Sequence, residues 1–277
     1  MKRNRLVVVS ALLGTACGPG LQTDQTFKQQ GCQNCVSPGP GPGFSGPPTL
    51  PVMTGLVLWL RADQIQATPN GNPITGNWPD LSHTVTPLAA TNGPIFESAG
   101  SSPIPRATVQ FNSASDSFAI AASAFGTMSE VTMIAVGKIV TISGFFGIST
   151  SSSFTVSTDK FLSLETETSP SIQAVRVDTP TPTTKSVSGG PGWHAFFGEF
   201  DGGGNQAAIA IDGGGLTSVA IASGISYDCS SGEVQLGTLT GGGATSGEVA
   251  EIIVYDRVIT GAEMTSLLTY FSGRYGI

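Results

Sequence analysis

A chain of 277 residues can hold one large β domain or two small ones, with core enough for independent stability. Charged residues make up only 11% of it, against roughly 25% in an average soluble protein, and the formal net charge is −7. No basic patch is present to recruit nucleic acid, which is not an expected partner. The 37 glycines suit short strands joined by tight turns rather than long helices.

The chain opens with a positive segment, Lys2, Arg3 and Arg5, followed by the apolar run Leu6–Leu13 (LVVVSALL). That run is too short to span a bilayer as a mature helix and fits a secretory signal. Gly14-Thr15-Ala16-Cys17 comes next and resembles the lipobox of bacterial lipoproteins, in which the cysteine is acylated and becomes the new N-terminus. It departs from that pattern in carrying Gly14 where the family has leucine; an ordinary signal-peptidase site after Ala16 is the alternative. The resemblance implies residues 1–17 as a signal peptide and Cys17 as the lipid attachment site. It also implies a protein outside the cytoplasm, anchored to the envelope membrane. Gly18 is not the aspartate associated with inner-membrane retention, so the outer membrane is expected if the host has one.

Residues 18–53 show no apolar periodicity and read as a disordered tether. Within them SPGPGPGFSGPPTLP (37–51) has ten prolines and glycines in fifteen residues. Extended at about 3.1 Å per residue, such a stretch reaches roughly 45 Å. Cys32 and Cys35 form a CxxC pair inside the tether. A redox motif would need a βα turn to lower the thiol pKa, and zinc would need two further ligands nearby. The reading adopted is a small disulfide loop in an oxidising compartment. Cys229 is then either a free thiol or the partner of one tether cysteine.

From residue 54 to 277 the pattern changes to one folded domain. Leu56–Leu60 is a dense apolar run, and further strands are predicted at Ala107–Phe111, Val131–Val140, Phe161–Glu165, Ser171–Val177 and Trp193–Phe200. Gln206–Ile211, Glu233–Leu239 and Glu248–Tyr255 complete the set, with glycine-rich turns such as Asp201–Asn205 between them. Many short strands without intervening helical pattern imply a sandwich or jelly roll. One helix closes the chain. Thr260 and Glu263 form a capping box, and Met264, Leu267, Leu268 and Phe271 make one apolar stripe. Gly273 reads as its stop, and the stripe is expected to lie on the edge of the sandwich.

The segments GLVLWLRAD (55–63), NWPDLS (77–82) and GEVAEIIVYDRVITGAEMTSLLTYFSGRYGI (247–277) resemble the start and end of bacterial LamG-like domains. GFFGIST (144–150) and the hairpin from Trp193 to Ile211 match more loosely. These domains belong to the concanavalin A-like lectin/glucanase superfamily. The resemblance implies an all-β, two-sheet antiparallel jelly-roll sandwich with one C-terminal amphipathic helix. It also makes calcium a candidate cofactor, although no ligand-dense loop stands out around Asp63, Asp80 or Asp116, and no cofactor or metal site is assigned.

Glucanases of that superfamily carry catalytic carboxylates at alternate positions of one strand, so that an acid and a nucleophile flank one bond. Glu248 and Glu251 are three apart and point to opposite faces of an ideal strand, whereas Glu165 and Glu167 share a face but lack a third carboxylate. Glu251 is the one expected to be buried and paired. His83 and His194, the only histidines, read as structural, and no catalytic residue is assigned. Trp193 begins an apolar strand and reads as core, while Trp78, in a polar stretch, is the candidate aromatic for stacking on a sugar. The leading expectation is a non-catalytic surface module that binds glycan or protein. A polysaccharide hydrolase and a structural envelope lipoprotein without a discrete ligand are the alternatives.

Overall fold

The strands alternate between two environments, and that alternation organises the whole molecule. A computed structural model describes residues 49–98, 104, 106–113, 115–140, 144–150, 161–166, 172–179, 181–190, 192–237 and 246–277. Cys17, Cys32, Cys35 and Glu167 lie outside the described residues.

In chain order the first strands are β1 (Leu56–Arg61), β2 (Asn72–Pro73), β3 (Asn77–Trp78), β4 (Leu88–Thr91) and β5 (Ile95–Glu97). Next come β6 (Thr108–Phe111), β7 (Ser117–Ala121), β8 (Thr127–Met128), β9 (Glu130–Ile139) and β10 (Gly144–Ser149). They are followed by β11 (Phe161–Thr166), β12 (Ile172–Thr179), β13 (Thr181–Ser188), β14 (His194–Asp201) and β15 (Gln206–Ile211). The last are β16 (Thr217–Ala220), β17 (Tyr227–Asp228), β18 (Glu233–Gly237) and β19 (Gly247–Tyr255), before helix α1 (Gly261–Tyr275).

The first sheet has the order β16-β15-β14-β9-β19-β6-β5-β2, with β1 also paired to β19. The second has the order β13-β12-β11-β10-β18-β7-β4-β3, and β8 and β17 form a small ribbon. Every ladder is antiparallel. The chain is therefore an all-β two-sheet antiparallel sandwich with one C-terminal helix, as the strand pattern predicts.

The core between the sheets takes Val131, Met133 and Ala135 of β9, Phe196 and Phe200 of β14, and Val249, Ile252 and Val254 of β19. The second sheet supplies Phe118, Phe146, Leu162, Leu164, Val234 and Leu236. The opposite face of the first sheet is buried too: Ile134, Val136, Phe197, Ala210, Ile253 and Tyr255 pack against Met264, Leu267, Phe271 and Tyr275 of α1. A strand buried on both faces needs apolar residues at every position, which is why β9, β14 and β19 read as near-continuous hydrophobic runs. The helix thus covers the middle of a sheet face rather than the sandwich edge, correcting the expectation from sequence. An edge could not bury so wide a stripe.

Helix α1 begins as predicted. The Thr260 Oγ1 accepts from the Glu263 amide at 3.3 Å, and Glu263 Oε2 accepts from the Thr260 amide at 2.8 Å. The Arg257 guanidinium, 2.6 Å from Glu263, holds that carboxyl well down, to about 2. The stop is later than Gly273. The helix continues to Tyr275 because Arg274 and Tyr275 are both buried, and it ends at Gly276, whose φ of 76° is the left-handed conformation glycine adopts without penalty.

The boundary of the folded unit also differs from the expected tether of residues 18–53. The compact unit runs from Thr49 to Ile277. Leu50 and Val52 are buried in the helix-side core, and the Val52 carbonyl accepts from the Tyr255 hydroxyl at 3.0 Å. Apolar residues spaced two apart among prolines carry too little periodicity to be seen in the sequence.

Candidate functional site

Several residues of interest serve the fold itself. Trp78 is fully buried between the sheets, edge-on to Phe118 at 5.2 Å between ring centroids. Its ring therefore cannot stack on a sugar, which corrects the sequence assignment. The neighbouring polar residues Asn77 and Asp80 made the segment look like a surface loop, but Trp78 points inward on the two-residue strand β3. Trp193 is core, as expected.

The three aspartates considered as calcium donors are each engaged by the protein. Asp80 accepts from the amides of Trp59, Ser82, Thr84 and Val85 and from the Ser82 hydroxyl, pinning the NWPDLS loop to β1. Asp116 accepts from the Asn112 and Ser113 amides and the Ser113 hydroxyl. Asp63 pairs with Arg61 at 2.8 Å and with Arg274, and these cations hold its carboxyl below the usual range against the opposing pull of burial. Among the described residues no three His, Cys, Asp or Glu side chains converge to hold a metal.

Glu248 and Glu251 do not lie on opposite faces. A bulge between Val249 and Glu251 turns both Ala250 and Glu251 toward α1, so both glutamates stand on the helix side of β19. Glu248 accepts from Thr108 Oγ1 at 3.3 Å. Glu251 is completely buried and accepts from Trp59 Nε1, the Tyr270 hydroxyl and the Tyr275 hydroxyl. The burial and pairing expected of it are both present. Burial pushes its carboxyl up, with the Tyr275 and Trp59 hydrogen bonds opposing. This is a structural network sealed beneath the helix. His194 also serves the fold: its Nδ1 lies 2.6 Å from Asp212, which raises the imidazole pKa and ties β14 to the turn after β15. Cys229 is a free, fully buried thiol, pushed up by burial to about 11.

The accessible site lies on the far side of the molecule, on the face of the second sheet turned away from the core. Phe118, Val234 and Leu236 point inward, so Ala119, Ala121, Glu233 and Gln235 point outward from the adjacent strands β7 and β18. A groove of about 370 Å³ opens there, lined by Ala119, Ala121, Ser123, Ser230, Ser231 and Glu233. That volume falls in the range of small-molecule sites. Its wall is the short loop between β17 and β18, held by Asp228 accepting from the Ser230 amide at 3.0 Å, by the buried Cys229 and by the Gly232 amide on the Cys229 carbonyl at 2.9 Å. A methyl group at Gly232 would stand 2.0 Å from the Ser149 carbonyl oxygen, so only glycine lets the loop sit this close to β10. The floor is small and apolar, the rim carries hydroxyls, and Gln235 Nε2 donates to Glu233 Oε1 at 3.1 Å. Among the described residues lining the groove the one ionisable side chain is Glu233. Sequence reasoning missed this site. Its residues are small and polar, and only the pairing of β7 with β18 brings Ala119 beside Gln235.

No protein-family model matches the chain, and no curated protein matches it. Solved structures do share its fold. The binding domain of botulinum neurotoxin serotype G aligns with a TM-score of 0.57 at 12% identity, over 78% of this chain and 51% of that one. The receptor-binding domain of the botulinum neurotoxin C/D mosaic serotype aligns at 0.53 and 9%, over 79% and 51%. A Trypanosoma rangeli sialidase in complex with sialic acid aligns at 0.52 and 13%, over 82% of this chain and 34% of that one. The fold shared with these structures is the antiparallel β-sandwich. The chain spans about half the length of the neurotoxin domains it matches, and the likeness is one of fold.

Proposed function

We propose that this chain is a non-catalytic carbohydrate-binding module, carried outside the cytoplasm on a lipid anchor at Cys17. The observation that carries the reading is the groove on the outer face of the second sheet, in a lectin-like sandwich, with hydroxyls and one carboxylate above a small apolar floor. Sugars are recognised by such combinations, their hydroxyls meeting polar rims and their CH faces meeting apolar floors. The fold neighbours include a binding domain in complex with SialylT and a sialidase in complex with sialic acid, which supports a saccharide as the ligand class here. Within the lectin-like sandwiches the LamG-like branch is the one we favour, from the residues at the two ends of the domain.

The non-catalytic part rests on charge count. Cleavage of a glycosidic bond uses two carboxyl groups about 5–9.5 Å apart, and among the described residues lining the groove Glu233 is the one carboxylate. Glu251, the carboxylate with the strongest burial, is sealed under α1 on the opposite side of the sandwich. The envelope location rests on the charged start, the apolar run and Gly14-Thr15-Ala16-Cys17.

Two measurements test the proposal. The full chain, held in a polyoxyethylene detergent that bears no sugar headgroup, is applied to a glycan array and assayed for reducing-end release from the glycans it binds. Binding without release is expected, and release that vanishes on Glu233→Gln would replace the module with a hydrolase. Metabolic labelling with palmitate should mark the wild-type chain and not Cys17→Ser; an unlabelled wild-type chain sinks the anchor.

A further inference from the structure

We infer that the groove accepts uncharged saccharides and turns away sialylated and uronate-bearing ones; this rests on the carbohydrate-binding reading above. The ground is where the protein keeps its charges. Among the described residues the one ionisable group lining the groove is the Glu233 carboxylate, half-buried beside the hydroxyls of Ser230 and Ser231. Among the described residues no basic side chain lines it.

The described cations are held elsewhere. Arg61 and Arg274 pair with Asp63, and Arg257 pairs with Glu263, all on the helix-covered side of the first sheet. Arg106 donates to the Arg274 carbonyl at 3.2 Å, and Lys138 stands opposite Glu248 in the β9–β19 ladder. Lys185 on β13 stands opposite Val175, in the row of the inward-facing Leu164. Arg176 is placed in the row of Gln235, but three strands away from it across β10 and β11.

A sugar carboxylate entering the groove would meet Glu233 in a partly desolvated setting, with no cation among the described lining residues to neutralise either charge. A neutral sugar meets the opposite situation. Its hydroxyls donate to the Glu233 carboxylate in charge-assisted bonds, while the serine hydroxyls supply donors for its ring and hydroxyl oxygens. The chain therefore departs in ligand charge from the sialic acid-bound sialidase whose fold it shares.

The test uses matched pairs on the full chain in the same detergent: N-acetyllactosamine against 3′-sialyl-N-acetyllactosamine, and fully methyl-esterified trigalacturonate against trigalacturonate, by titration calorimetry. The neutral member of any bound pair should bind on the order of tenfold more tightly, the factor that one unscreened like-charge contact of about 1.4 kcal/mol produces. Glu233→Gln should weaken the neutral sugar and narrow the ratio. Ser231→Lys, at an exposed rim position, should raise binding of the anionic member, and it carries the test should Glu233→Gln fail to fold. Tighter binding of the anionic members by the wild-type chain overturns this inference and leaves the carbohydrate reading standing. Neutral binding that neither variant alters overturns the groove as its location, and binding of no saccharide at all overturns both.

Discussion

The indole Nε1 of Trp59 donates to the buried carboxylate of Glu251 at 2.5 Å, joining the first strand of the domain to its last. The two residues are 192 positions apart in sequence and sit on adjacent strands, β1 and β19. Tyr270 and Tyr275 donate to the same carboxylate, so one side chain ties both strands to the helix that covers them. Replacing Glu251 with Ala strands three donors in a dry site. A loss of about 3–5 kcal/mol is expected, read as a shift in the urea unfolding midpoint. Glu251→Gln, which keeps the shape and one acceptor, should lose less. An alanine variant as stable as the parent would show that the network contributes nothing.

The helix stripe divides into unequal halves. Leu267 is completely buried, whereas Leu268 is half-buried against the turn at Gly213. Leu267→Ala should cost about 2–5 kcal/mol and Leu268→Ala less than half as much. Equal losses in chemical unfolding would contradict the packing of α1 on the sheet face.

The start of the folded unit can be tested by truncation. A chain beginning at Thr49 should melt like the parent, and one beginning at Thr54 should not, because it lacks the buried Leu50 and Val52. Each side chain is worth about 1.5–3 kcal/mol of burial, so a drop on the order of 10 °C in Tm is expected. Calorimetry showing equal Tm values for the two would return Leu50 and Val52 to the tether.

Glu199 gives the domain a pH dependence. It lies on β14 beside Thr132, buried, with Oε1 lacking a hydrogen-bond partner; burial, with the nearby charge of Asp201 added, pushes its carboxyl up to about 7. A carboxyl with a raised folded pKa binds more protons folded than unfolded between about 4.5 and 7. Its contribution to stability is therefore lost as pH rises through that window. Glu199→Gln should be more stable than the parent at pH 8, by on the order of 1–3 kcal/mol, and the gap should shrink toward pH 5. A gap independent of pH would show that Glu199 does not titrate in the window.

What the sequence determined by itself was whatever rests on local chemistry or on periodicity. The capping box of α1 is visible because Thr260 and Glu263 are three residues apart, and the strands buried on both faces are visible because every position in them is apolar. The burial of Glu251 was legible as well, since an acid set between Ala250 and Ile252 in an apolar strand must find partners.

Tertiary structure decided the rest, because it depends on residues distant in the chain. The bulge that puts Glu248 and Glu251 on one face is set by the pairing of β19 with β9, and the inward turn of Trp78 by the pairing of β3 with β4. Helix α1 lies on a sheet face because five strands assemble an apolar surface wide enough to receive it. The groove has no signature in the chain, since alanine and serine are unremarkable until β7 and β18 set them beside one carboxylate.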